Sequence, residues 1–214
     1  MKKIALAALI AAAITPSLAL AEAGDFVVRL RAVDVAPDES SKLGSYLGGA
    51  NAGTKLEVNS NVIPEIDFSY YITKNIAAEL ILATGTRHDV KIGGTGTLAG
   101  TSLGSVNLLP PTLTLQWHFL PDQTFDPYVG AGLNYTLGMD RSLTLTNPGD
   151  IKIDRNMFGP VLQAGFDVNL KDGWLINADV KKVWMNTQVK LNGAQIDSLD
   201  IDPWIIGVGF GKKF

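Results

Sequence analysis

Trp204-Ile205-Ile206-Gly207-Val208-Gly209-Phe210-Gly211-Lys212-Lys213-Phe214 ends the chain and decides its fold. Trp204, Ile206, Val208, Phe210 and Phe214 fall on one face, while Gly207, Gly209, Gly211 and Lys213 fall on the other. Alternation with a period of two belongs to a strand with two unlike faces. The same alternation sets Ile66, Phe68 and Tyr70 against Glu65, Asp67 and Ser69. It sets Leu113, Leu115, Trp117 and Phe119 against Thr112, Thr114, Gln116 and His118. Trp174, Ile176, Ala178 and Val180 oppose Asn177, Asp179 and Lys181, and Phe26, Val28 and Leu30 alternate with Arg29 and Arg31.

Turn chemistry from Gly, Pro, Asn and Asp divides the chain into eight strands near 25–35, 62–71, 76–90, 107–120, 127–138, 157–169, 174–186 and 201–214. The links at 72–75, 121–126 and 170–173 are short, and those near 36–61, 91–106, 139–156 and 187–200 are long. Strict alternation of short and long links predicts an all-β, eight-stranded antiparallel up-and-down transmembrane β-barrel. Tight turns lie on the periplasmic rim with both termini, and long loops outside. Aromatic residues near strand ends, such as Tyr70, Tyr71, Trp117, Tyr128, Trp174 and Trp204, fit interfacial girdles. Lys212 stands in the outward row and should snorkel to the interface. Several strands exceed the roughly 9 to 11 residues needed to cross the hydrocarbon layer, so the barrel should rise above the bilayer.

The start of the chain has the form of an export signal. Lys2 and Lys3 precede an apolar run from Ile4 to Ile14, and Ala19-Leu20-Ala21 offers a small-x-small cleavage site. Residues 1–21 are thus expected to be removed, leaving a single barrel domain at 22–214. No later stretch approaches the roughly 18 to 20 apolar residues of a membrane helix, so strands must do the crossing. The formal net charge is −3, and the leader takes two lysines with it, which argues against nucleic acid as a partner. There is no cysteine, which excludes disulfides, thiolate zinc sites and cysteine nucleophiles.

Three stretches carry a family resemblance: 109–119 (LPPTLTLQWHF), 127–136 (PYVGAGLNYT), and Asp202-Pro203-Trp204 ahead of the terminal Phe214. Asn75-Ile76-Ala77-Ala78-Glu79-Leu80, with Ala83-Thr84 and Arg87-His88, is similar to the third strand and following loop of the same family. Taken together they resemble the OmpW family of outer-membrane proteins. The resemblance implies a narrow, partly hydrophobic interior used for passage of small hydrophobic molecules across the outer membrane. Ile81, on the inward row with Glu79 and Ala83, falls where that family places an apolar constriction. Lys181 lies near a position where relatives carry an aromatic residue, and a charge there suits a salt bridge better than an apolar gate. Phe214 resembles the terminal signature by which the assembly machinery recognises such barrels.

Arg29, Arg31, Glu65, Asp67, Glu79, His118, Asp179 and Lys181 all read as inward. An eight-stranded barrel is narrow enough for side chains to fill, so these residues form either an ion-pair plug or the polar wall of a solute path. Inward glycines at 130, 132, 207, 209 and 211 either open space for a ligand or accommodate bulky neighbours.

An enzyme is not expected. His88 and His118 are the only imidazole bases, and no Gly-x-Ser-x-Gly elbow is present. Nor is a metal or other cofactor expected, since His88 with Asp89 gives too few ligands. The segment 38–53, rich in Ser, Gly and Ala, reads as a flexible extracellular cap. The partners expected are outer-membrane lipid, lipopolysaccharide and small hydrophobic solutes. The competing reading is a structural or receptor barrel whose long loops bind an external partner.

Overall fold

A computed structural model describes residues 22–83, 86–146 and 150–214; the expected signal peptide at 1–21 lies outside the described residues. Eight strands close the membrane-level ring: β1 (Phe26–Ala36), β3 (Asn61–Tyr71), β4 (Ile76–Ala83), β7 (Thr112–His118), β8 (Phe125–Asp140), β11 (Asn156–Asn169), β12 (Trp174–Val183) and β15 (Trp204–Lys213). Each pairs antiparallel with the next, and β15 returns to β1, with Arg31 opposite Gly209 and Val27 opposite Lys213. Closure leaves no unpaired edge at this level, which is the condition for strands to cross hydrocarbon.

Pleating decides what faces where. Leu30, Leu113, Leu115, Leu162, Ile176 and Val208 point outward and are exposed, forming a lipid-facing belt. At its ends Lys182 Nζ sits 5.0 Å from the Trp204 ring and Lys212 Nζ 5.1 Å from Trp174. Each lysine thus lays its apolar stem along the belt and its charge against an interfacial aromatic. Tyr71 and Tyr128 correct the expected girdle: both point into the lumen and are buried.

The outer links are more structured than expected. The strand expected over 76–90 is two elements, β4 and β5 (Thr86–Thr95). That over 107–120 is β6 (Ser102–Leu109) and β7, divided at Pro110 and Pro111, which have no N–H to give to a ladder. β5 and β6 form a hairpin above the ring, joined on its far side by β2 (Gly53–Val58). β9 (Ser142–Leu143), β10 (Ile151–Ile153), β13 (Asn186–Leu191) and β14 (Ala194–Asp200) make a second, four-stranded sheet. The segment expected to be a flexible cap contains helix α1 (Leu43–Leu47), whose Leu43 is buried against Leu56 and its neighbours.

Candidate functional site: an apolar chamber above a charged plug

Two layers fill the barrel. In the lower layer β1 supplies Arg29 and Arg31, two residues apart and therefore on the same inward face. Arg29 Nη2 lies 2.6 Å from Asp167 and its Nη1 3.1 Å from Asp67, donating also to Ser69 Oγ at 2.7 Å. Arg31 Nη2 reaches Asp67 and Glu79, each at 2.6 Å, Nε reaches Glu65 at 3.2 Å, and Nη1 pairs with Asp179. Lys181 Nζ completes the array at 2.9 Å from Glu65 and 3.2 Å from Asp179. Gln163 and Gln116 donate to Glu79 at 3.0 and 2.8 Å, and Asn177 donates to Asp167 at 2.7 Å.

All the charged members are buried. Buried ions are tolerated only when each is paired and its remaining donors and lone pairs are satisfied, and here nearly all of them are. The glycines make the room. A Cβ on Gly209 would lie 2.7 Å from Arg31 Cγ, one on Gly211 2.7 Å from Arg29 Cγ, and one on Gly207 2.8 Å from Val33. They accommodate bulky neighbours and leave no space for a ligand at this level.

His118 stands apart at the periplasmic end. Its Nδ1 is 2.7 Å from Asp126, and the Tyr71 and Tyr128 rings flank it at 5.0 and 4.9 Å. His118, Asp126 and Asp167 bring ligand-type atoms within 4.8 Å of one another. As arranged, however, Asp167 serves Arg29 and Asn177, and Asp126 serves His118 and the Leu120 N–H.

The upper layer is apolar. Leu56, Val90, Leu108, Leu143, Ile153 and Val189 enclose a cavity of about 70 Å³, within a core that also takes in Leu43, Leu103, Met157 and Leu199. Polar groups in its wall are mostly engaged with one another: Thr136 Oγ1 donates to Asn134 Oδ1 at 2.7 Å, and Asn134 Nδ2 to Thr112 Oγ1 at 2.8 Å. Ile81 is buried one inward step above Glu79, opposite Asp67 and Thr112, where the plug gives way to the chamber.

The structure therefore draws Arg29, Arg31, Glu65, Asp67, Glu79, Asp179 and Lys181 into one network. His118 is tied to it through a 3.4 Å contact with Gln116 and through the Tyr128 ring, whose hydroxyl accepts from Asn177 at 3.1 Å. Sequence reading missed Gln163, Asp167 and Asp126. The first two share the inward phase of β11, which its outward Phe158, Leu162 and Phe166 set. His88, expected beside a loop, is buried within β5 and lines the chamber.

The family model described as the OmpW family matches residues 22–214. Outer membrane protein W of Escherichia coli (strain K12) is 36% identical over 223 residues, covering 100% of both chains. The crystal structure of the outer membrane protein OprG from Pseudomonas aeruginosa superposes with a TM-score of 0.76 at 31% identity, covering 90% of this chain and 97% of that one. A Pseudomonas aeruginosa protein named dibenzothiophene metabolism operon protein PahQ is 27% identical over 198 residues, covering 91% of this chain and 90% of its own.

Proposed function

Since this chain belongs to the OmpW family and is a bacterial outer-membrane barrel, we propose that it passes small hydrophobic molecules from outside into the outer membrane. The observation that carries the reading is the apolar chamber in the outer half of the barrel, closed below by ion pairs. A lipopolysaccharide leaflet resists apolar solutes, and a protein interior lined by Leu, Val and Ile gives them a favourable place to enter. Below the chamber such a solute would have to displace buried, mutually paired charges, so the exit we favour is sideways through the wall. The site for it is the seam where Pro110, a chamber residue, and Pro111 divide β6 from β7 and interrupt the ladder that both make with β8. The name of PahQ, which refers to a fused-ring sulfur heterocycle, is in keeping with solutes of this class.

The test is uptake of labelled naphthalene by cells lacking the gene, complemented at matched protein levels with wild type, Val90→Arg or Ile81→Arg. Wild type should restore uptake, and Val90→Arg, which puts a charge in the chamber, should return it to the level of the deletion. Ile81→Arg should do the same if the constriction lies at the chamber floor. Equal uptake in all strains would sink the reading and leave the outer sheets, as a receptor surface, to be examined by exchanging 36–61 or 139–156.

A further inference from the structure

His88 differs from every other polar side chain around the chamber. Thr86 donates to the Leu108 carbonyl, and Thr187 accepts from the Asp154 N–H at 3.1 Å. Asn134 and Thr136 are bonded to each other. The His88 imidazole, 4% exposed, has its Nδ1 2.8 Å from the carbonyl oxygen of Asn59. Asn59 is itself fixed, its N–H donating to the Asp89 carbonyl at 3.1 Å and its Oδ1 accepting from the Asp89 N–H at 2.5 Å.

A carbonyl oxygen can only accept, so the proton of the neutral ring is on Nδ1 and Nε2 carries a lone pair. Nε2 has no hydrogen-bond partner among the described residues. Among the described residues of this mostly apolar wall, His88 Nε2 is thus an oriented acceptor without a partner, held from behind by the backbone.

We propose that His88 Nε2 is the specificity-determining contact of this chamber. It selects apolar molecules that carry one hydrogen-bond donor, such as phenols and alcohols, over hydrocarbons of the same shape. This rests on the chamber being the solute site. A hydrocarbon in the chamber leaves Nε2 buried and unpaired, whereas a hydroxyl satisfies it, and that difference is the source of discrimination.

The test measures retention of 1-naphthol, 1-methoxynaphthalene and naphthalene by the full chain in lipid nanodiscs, with protein-free nanodiscs as the partition reference. Wild type should hold 1-naphthol about fivefold more strongly than naphthalene, the size of one neutral hydrogen bond. The methoxy compound keeps the oxygen but lacks the donor, so it should behave like naphthalene, a comparison that requires no variant. His88→Asn keeps an N–H for the Asn59 carbonyl and deletes the Nε2 position; it should bring 1-naphthol retention down to that of naphthalene in the same variant. His88→Gln, which reaches further into the chamber with an amide oxygen, should restore part of the preference.

Equal retention of the three solutes by wild type, or a naphthol preference that survives His88→Asn, would overturn the assignment of His88 alone. Retention of none of them above protein-free discs would overturn the passage reading together with it.

Discussion

Arg31 meets four carboxylates, those of Glu65, Asp67, Glu79 and Asp179, from three different strands. Removing the guanidinium leaves these four buried carboxylates with only Arg29 and Lys181 to share, so Arg31→Ala should cost about 3–5 kcal/mol of stability, read from urea unfolding in lipid vesicles. The loss should change little with salt, because the pairs are screened by protein rather than by ions. Gly209→Val forces a side chain against Arg31 Cγ and should cost about 1–3 kcal/mol. Because that side chain also meets the Leu30 carbonyl oxygen, the penalty should largely persist in the Arg31→Ala background, a near-additivity that a double-mutant cycle measures directly. The direction in which these residues face was legible from alternation alone, as with Arg29 and Arg31 between Val28, Leu30 and Ala32. Their partners were not legible, because Arg29 and Asp167 are 138 positions apart and meet only across a closed ring.

Among the elements, the eight staves could be read because each presents a sustained two-faced pattern bounded by turn residues. The tight turn at Asp172-Gly173, with φ of 57° and 78°, was among them. The folded crown was missed although part of its signal is present. Asn192-Gly193, with φ of 49° and 88°, joins Leu191 to Ala194 in the same two-residue turn, flanked by the alternating Val189, Leu191 and Ile196. Reading 187–200 as one long link overrode that dipeptide. Gly193→Val should destabilise this hairpin by about 1–2 kcal/mol, since a β-branched residue is strained at positive φ. Hydrogen exchange should speed up in β13 and β14 and stay unchanged in the membrane-level strands. In the neighbouring sheet, hydrogen bonds from Lys55 and then Lys91 hold the half-buried Glu57 carboxyl below the usual glutamate range. The small stability it contributes is present above that range and is lost as the pH falls through the lowered value. An NMR titration should find the offset at low salt and see it fade at high salt.

For the molecule as a whole, the bilayer is the solvent against which the outer face is written. Val208, 61% exposed, stands in mid-belt, and Val208→Arg should cost about 2–4 kcal/mol in vesicles. The same arginine replacing Trp204, at the rim, should cost no more than about 1 kcal/mol. The division of the interior into plug and chamber was beyond the sequence pattern, because inward apolar and inward polar residues occupy the same phase and differ only in height. The plug also bears on how such a barrel is completed. Arg31 on the first strand is matched by Asp179 on the seventh, and β1 finds β15 only when the ring shuts. Until that moment Arg29 and Arg31 have only the acids of β3 and β4 beside them, and Asp167 and Asp179 at the far end of the sheet lack their arginine partners and must stay hydrated. An incomplete barrel is consequently wet inside, and its final zipping expels water and locks the charges in a single late event. Strand closure and drying of the lumen are one step, so a defect in the plug should be felt first as slow maturation, before any loss in the finished protein.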